Sequence, residues 1–185
     1  MSAGKISLTG RIRGAGPHHA GAPLVLRQPY AQLVAMKRWA DSGLYEAANR
    51  NLDQLSPEDA SIMFRILDHI HVVDRIFQHH LQGLPHAFRA ARSEEMPELQ
   101  TLANSTREVD DWYVSYVSSL EENDFEQPID FVFTSGKPAR MTRGEIILHV
   151  CLHGNYHRGN AGAVLQLKGI IPSRDGITDF LEAAT

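Results

Sequence analysis

Apolar residues return at helical spacing along four separate stretches of this chain of 185 residues, and a chain so patterned must bury four stripes against one another. Tyr30, Leu33, Val34, Trp39, Ala40, Leu44 and Ala47 mark a first helix from about residue 27 to about Arg50. Ser56-Pro57-Glu58-Asp59 opens a second, with a Ser cap, Pro at the first helical position and acids beside the positive end of the helix dipole. Its stripe of Met63, Ile66, Leu67, Ile70, Val73, Phe77 and Leu81 runs to Gly83, a helix terminator. Pro85 and Pro97 bracket a connection, after which Leu99, Leu102, Val109, Trp112, Tyr113, Tyr116, Val117 and Leu120 give a third helix ending near Asn123. Thr142-Arg143-Gly144-Glu145 has capping-box spacing and opens a fourth that continues to about Lys168, where Gly169 stops it.

Between the third and fourth helices the pattern changes. Phe131, Val132, Phe133 and Thr134 favour strand, and Ser135-Gly136-Lys137-Pro138 is turn chemistry, which predicts a short β-hairpin or extended loop. The expected fold is therefore all-α, a four-helix bundle with that hairpin inserted, forming one domain over residues 27–182. Residues 1–22 are rich in Gly, Ala and Ser without helical period and read as a flexible arm, His18 and His19 included. The C-terminal tail is too short for another core element, although Ile177, Phe180 and Leu181 are placed to dock on the bundle.

The net charge of −4 argues against a nucleic-acid partner, since neutralising phosphates takes clustered Lys and Arg. Cys151 is the sole cysteine, so no intramolecular disulfide can form, and a reducing compartment suits the chain. No run of about 18 apolar residues occurs and no signal-peptide core opens the chain, so the expectation is a cytoplasmic protein with no membrane contact. A Gly-rich phosphate loop, a nucleophile elbow and a Cys-based zinc motif are all missing.

Chemistry concentrates in LHVCLHGNYHRGN, residues 148–160, where His149, His153 and His157 recur every fourth residue. A four-residue step on a helix turns about 40° past one full turn and rises roughly 6 Å, so neighbouring members project side by side. Two such imidazoles can share one metal ion. Leu148, Val150, Leu152, Gly154, Ala161 and Val164 predict that this helix is largely buried, where unpaired imidazole nitrogens would be costly, and burial therefore favours coordination.

A third ligand is available in LDHIHVVDRIFQHHL, residues 67–81. His69 and His71 differ by about 200° of rotation and cannot both face one site. His69 adjoins the apolar stripe and stands as far along its helix as His153 and His157 do along theirs, which makes it the better third ligand. His71, His79 and His80 read as surface or interface residues, and Asp74 as a salt-bridge partner of Arg75 or Arg158. Cys151 points roughly 160° away from His153 and reads as a small packing residue.

Taken together, LDHIHVVDRIFQHHL and, about 80 residues later, HVCLHGNYHRGNAGAVLQ resemble the paired signature of the DinB/YfiT-like superfamily of metalloenzymes. The likeness extends over roughly residues 27–182, with Trp39 and Leu44 in the first helix, the hairpin before the fourth, and the closing IPSRDGITDFL. It implies a four-helix bundle, often dimeric, holding a divalent metal through one His of the second helix and two of the fourth. By motif position these are His69, His153 and His157, the same three that spacing selects. The chain departs from the pattern at Tyr156, where many relatives carry a second His, and at Asn160, where Gln is frequent.

Three imidazoles leave a coordination position open for water or a thiol. The resemblance implies activation of a low-molecular-weight thiol, with an electrophile as second substrate, for transfer or isomerisation, Zn or Ni being the expected metal and a homodimer the expected assembly. Tyr156 and Arg158 are candidates for substrate contacts, a hydrogen bond and a carboxylate clamp respectively, with packing and an ion pair as their structural alternatives. A non-catalytic, dimeric metal-binding interaction protein is the alternative function, and a metal-free polar core a third reading.

Overall fold

The computed structural model describes residues 27–184, and the stretch with His18 and His19 lies outside them. Among the described residues are five α-helices, α1 (Arg27–Arg50), α2 (Pro57–Gln82), α3 (Leu99–Ser119), α4 (Arg143–Gln166) and α5 (Ile177–Ala183), with an antiparallel hairpin of β1 (Pro128–Val132) and β2 (Pro138–Thr142) between α3 and α4.

Helix ends follow from side chains. Ser56 Oγ accepts the Asp59 N–H at 3.2 Å, while Thr142 and Glu145 each satisfy the other's backbone N–H, at 2.7 and 3.1 Å. Gly83 closes α2 in the left-handed region at φ 67°, where any side chain would be strained. Two boundaries differ from expectation. Ser118 and Ser119 turn their hydroxyls onto the carbonyls of Val114 and Tyr116, and α3 stops at Ser119 instead of Asn123. A short 3-10 turn over Glu122–Glu126 then drops Phe125 into the core. The tail forms α5, which lays Phe180 on Trp39 with ring centroids 5.9 Å apart but buries none of its residues fully.

Side-chain contacts fix the helix directions. His71 meets Thr106 and Asp74 meets Tyr113, so α2 and α3 run parallel. Lys37 meets Asp110 while Tyr45 meets Thr106, which sets α1 antiparallel to α3. Phe77 faces His149 and the Leu81 carbonyl accepts from Arg143, which sets α2 antiparallel to α4. Parallel neighbours cannot be joined by a tight turn, so residues 83–98 must return along the length of the helices.

The core is divided crosswise. One apolar half gathers Val34, Phe77, Tyr113, Val117, Phe125 and Ile147, and the other gathers Leu44, Met63, Leu67, Leu102, Ala161 and Leu165. Between them lies a buried polar belt. Lys37, 2% exposed, places Nζ 2.8 Å from Asp41, 2.7 Å from Asp74 and 2.5 Å from Asp110. Arg158 on α4 reaches Asp41 at 3.3 Å and clasps Asp175 through Nε and Nη2 at 2.7 and 3.0 Å. At Gly154 a Cβ would stand 3.0 Å from Arg158 Nη1 and 3.4 Å from Lys37 Cε, so the bare glycine lets α4 sit close over the belt.

A buried charge stripped of its partner costs far more than the pair contributed. Lys37→Ala leaves three carboxylates without their shared cation and is expected to lower unfolding free energy by about 3–5 kcal/mol in urea titrations. A loss below 1 kcal/mol would contradict the belt's structural role.

Candidate metal centre

His69 on α2 and His153 and His157 on α4 come together at the level of the belt, each half-buried, with one ring nitrogen apiece lying within 4.8 Å of the others. His153 Nε2 stands 3.0 Å from His69 Nε2. Two nitrogens each about 2.0–2.1 Å from one ion would be roughly that far apart at near a right angle, so the donor set fits a transition-metal ion.

The orientation of His69 is fixed from behind. Its Nδ1 lies 2.7 Å from the Ala91 carbonyl, which can only accept, so Nδ1 carries the proton and Nε2 presents a lone pair toward α4. The adjacent Asp68, fully buried, accepts the Ser93 N–H at 2.9 Å and the Ser93 hydroxyl at 2.6 Å. His153 Nδ1 is buried without a hydrogen-bond partner. Burial first, and then the neighbouring rings of His157 and His69, push the His153 pKa down to about 3. His157 is lowered by the same two causes, burial and His69. His153 and His157 are thereby favoured in the neutral form, the state a metal requires.

The remaining histidines separate from this group. His149 lies half-buried with its ring 4.7 Å from Phe77 and 5.5 Å from His153. His71, read from the sequence as a surface or interface residue, lies inside the fold: it is 8% exposed, close to the Thr106 hydroxyl, and burial pushes its pKa down to about 4. His79 donates to the Arg75 carbonyl at 2.7 Å, and His80 stacks on Phe131 with centroids 4.5 Å apart.

Arg158 is not at a rim. At 3% exposure it is spent on Asp41 and Asp175, the ion-pair alternative. Tyr156 stands 67% exposed with its ring 5.0 Å from His157, and Leu152 is 63% exposed, so the outer face of α4 is wetter than its composition suggests. Asp74 pairs with Lys37 and not with Arg75 or Arg158. Cys151 packs into the core, where burial pushes its thiol up to about 12.

A cleft of about 1200 Å³ opens beside His69 against residues 87–96, with Arg65, Arg89 and Arg92 on its wall. A second cavity, about 610 Å³ between α1 and α3, touches none of the three histidines.

The belt is invisible to a reading of apolar residues alone, yet its signal is in the sequence. Lys37 and Asp41 continue the Val34–Leu44 stripe, Asp74 falls between Ile70 and Phe77, and Asp110 follows Val109. Opposite charges at stripe positions of facing helices are the mark of a buried ion cluster.

With this geometry in view, the comparisons with known proteins are specific. The model of the DinB family matches residues 28–184, and the chain belongs to that family. Protein DinB of Bacillus subtilis (strain 168) is 24% identical over 140 residues, covering 71% of this chain and 81% of that protein.

Burial pushes Asp74 up to about 6 from its ordinary 3.8 despite the pull of Lys37, with Asp41 adding to the rise. The folded chain thus keeps this proton between about pH 4 and 6, where the unfolded chain has released it. The associated stability is full below pH 4 and is lost as pH rises through 6. Asp74→Asn is expected to gain on the wild type across that window by on the order of 1–3 kcal/mol, read from urea midpoints at successive pH values. A difference constant with pH would show that Asp74 does not titrate there.

Proposed function

We propose that this chain binds a divalent metal ion, Zn²⁺ or Ni²⁺, through His69, His153 and His157, and that the centre activates a low-molecular-weight thiol or water for transfer or isomerisation. The observation that carries the reading is the convergence of three imidazoles, two of them with Nε2 atoms 3.0 Å apart. A divalent ion bound there would supply Lewis acidity and lower the pKa of a thiol or water in the position that three protein ligands leave open. The long helices are read as a four-helix bundle, an architecture that builds such centres from side chains on facing helices.

The chain's own residues do the rest. His69 keeps its lone pair inward through the Ala91 carbonyl. Burial holds His153 neutral, so one of its ring nitrogens keeps an available lone pair at physiological pH. Arg65, Arg89 and Arg92 outnumber Glu94 on the wall of the neighbouring cleft, which suits a substrate bearing a carboxylate, the role that the sequence suggests for Arg158. Tyr156 stands beside His157 with its side chain open to solvent, placed to meet a substrate.

Purified protein is expected to hold one equivalent of metal, and His153→Ala to lose more than about 100-fold in affinity, since even outer-shell losses cost about 10–100-fold. A full tightly held equivalent in that variant would overturn the assignment. Metal-dependent loss of free thiol, with glutathione, mycothiol or bacillithiol and an electrophile, supports catalysis. Tight metal binding with no thiol consumed supports the non-catalytic alternative.

A further inference from the structure

The connection from α2 to α3 carries neither helix nor strand over residues 84–98, yet it is pinned at one place beside the three histidines. Asp68 Oδ2 and Oδ1 accept the N–H and hydroxyl of Ser93, and one residue further along α2 the His69 Nδ1–H donates to the Ala91 carbonyl. Adjacent residues of a helix are thus tied to loop residues two apart, as two rungs of one clasp. Asp68 is fully buried, and a buried carboxylate that loses its donors is strongly disfavoured, so the Ser93 rung resists opening. The His69 rung has no such resistance of its own. It is a single bond from a half-buried ring to a carbonyl on an irregular segment.

We propose that Asp68 is a positioning residue for the centre: by holding Ser93 it fixes the Ala91 carbonyl against His69 Nδ1, which keeps the proton on that nitrogen and the Nε2 lone pair turned toward His153. A neutral imidazole carries one proton on either nitrogen, and the acceptor it meets decides which. With the carbonyl displaced, part of the population carries the proton on Nε2, where it must be displaced before a cation binds. The effect on metal affinity rests on the reading proposed above, whereas the effect on the His69 tautomer follows from the clasp alone.

Asp68→Ala, Asp68→Asn and Ser93→Ala distinguish the two. In the metal-free protein, ¹⁵N shifts of the His69 ring report which nitrogen is protonated. In Co²⁺ titrations, visible ligand-field absorption reports affinity and geometry. Wild type is expected to show the Nδ1–H form, and Asp68→Ala a mixture of tautomers with Co²⁺ affinity reduced about 10–100-fold. Asp68→Asn, which keeps one acceptor oxygen for Ser93, is expected to restore part of both, and Ser93→Ala to move both in the same direction as Asp68→Ala. If Asp68→Ala does not fold, the other two variants carry the test. Unchanged tautomer and unchanged affinity in the folded variants would overturn the role of Asp68. Failure of wild type to bind Co²⁺ would instead remove the metal reading, and the tautomer shift would then decide for or against the clasp.

Discussion

The shared contact of Lys37 with Asp41, Asp74 and Asp110 is the constraint around which the molecule is arranged. It ties α1, α2 and α3 at one level, and Arg158 brings in α4 through Asp41. A cluster of this kind has to be satisfied as a whole, because any register slip that separates one member leaves a bare charge in a dry interior. Its protonation reflects that economy. Lys37 is held well above its usual pKa by three acids that outweigh burial, Asp110 is raised by burial, and Asp41 is lowered because Lys37 and Arg158 outweigh it. A purely apolar seam would permit several helix registers of similar energy. In the register observed the belt's charges are satisfied together, and the three imidazoles gather on the neighbouring turns of α2 and α4.

Much of the helical plan could be read from the chain because caps and stripes are local. Ser56-Pro57, Gly83 and the Thr142–Glu145 box all act where their residue types announce. The convergence of His69 with His153 and His157 was legible for a subtler reason. His69 lies near the middle of α2, and the pair straddles the middle of α4, so they meet whether the helices run parallel or antiparallel. The helix directions themselves were not legible, since amphipathic stripes carry no polarity. They depend on pairings such as His71 with Thr106 and Tyr113 with the Asp74 carbonyl, which join residues tens of positions apart.

The same non-locality hid the surroundings of the centre. Ala91 and Ser93 belong to a stretch without period, and nothing in their own composition marks them as partners of α2. Arg158 illustrates the opposite error: its position one residue after His157 suggests an accessible cation, but a one-residue step on a helix turns the side chain about 100°, inward to Asp41 and Asp175. The arginines that do line the cleft beside His69 are Arg65 and, on the connection from α2 to α3, Arg89 and Arg92, with Glu94 among them.

The placement of Cys151 has its own consequence. Its thiol is 5% exposed, and burial raises its pKa far above neutrality, so it is held in the unreactive protonated form. The chain has no other cysteine. The chain's one thiol is therefore withheld from solution, and alkylation or oxidation at a cysteine would first require the core around α4 to open.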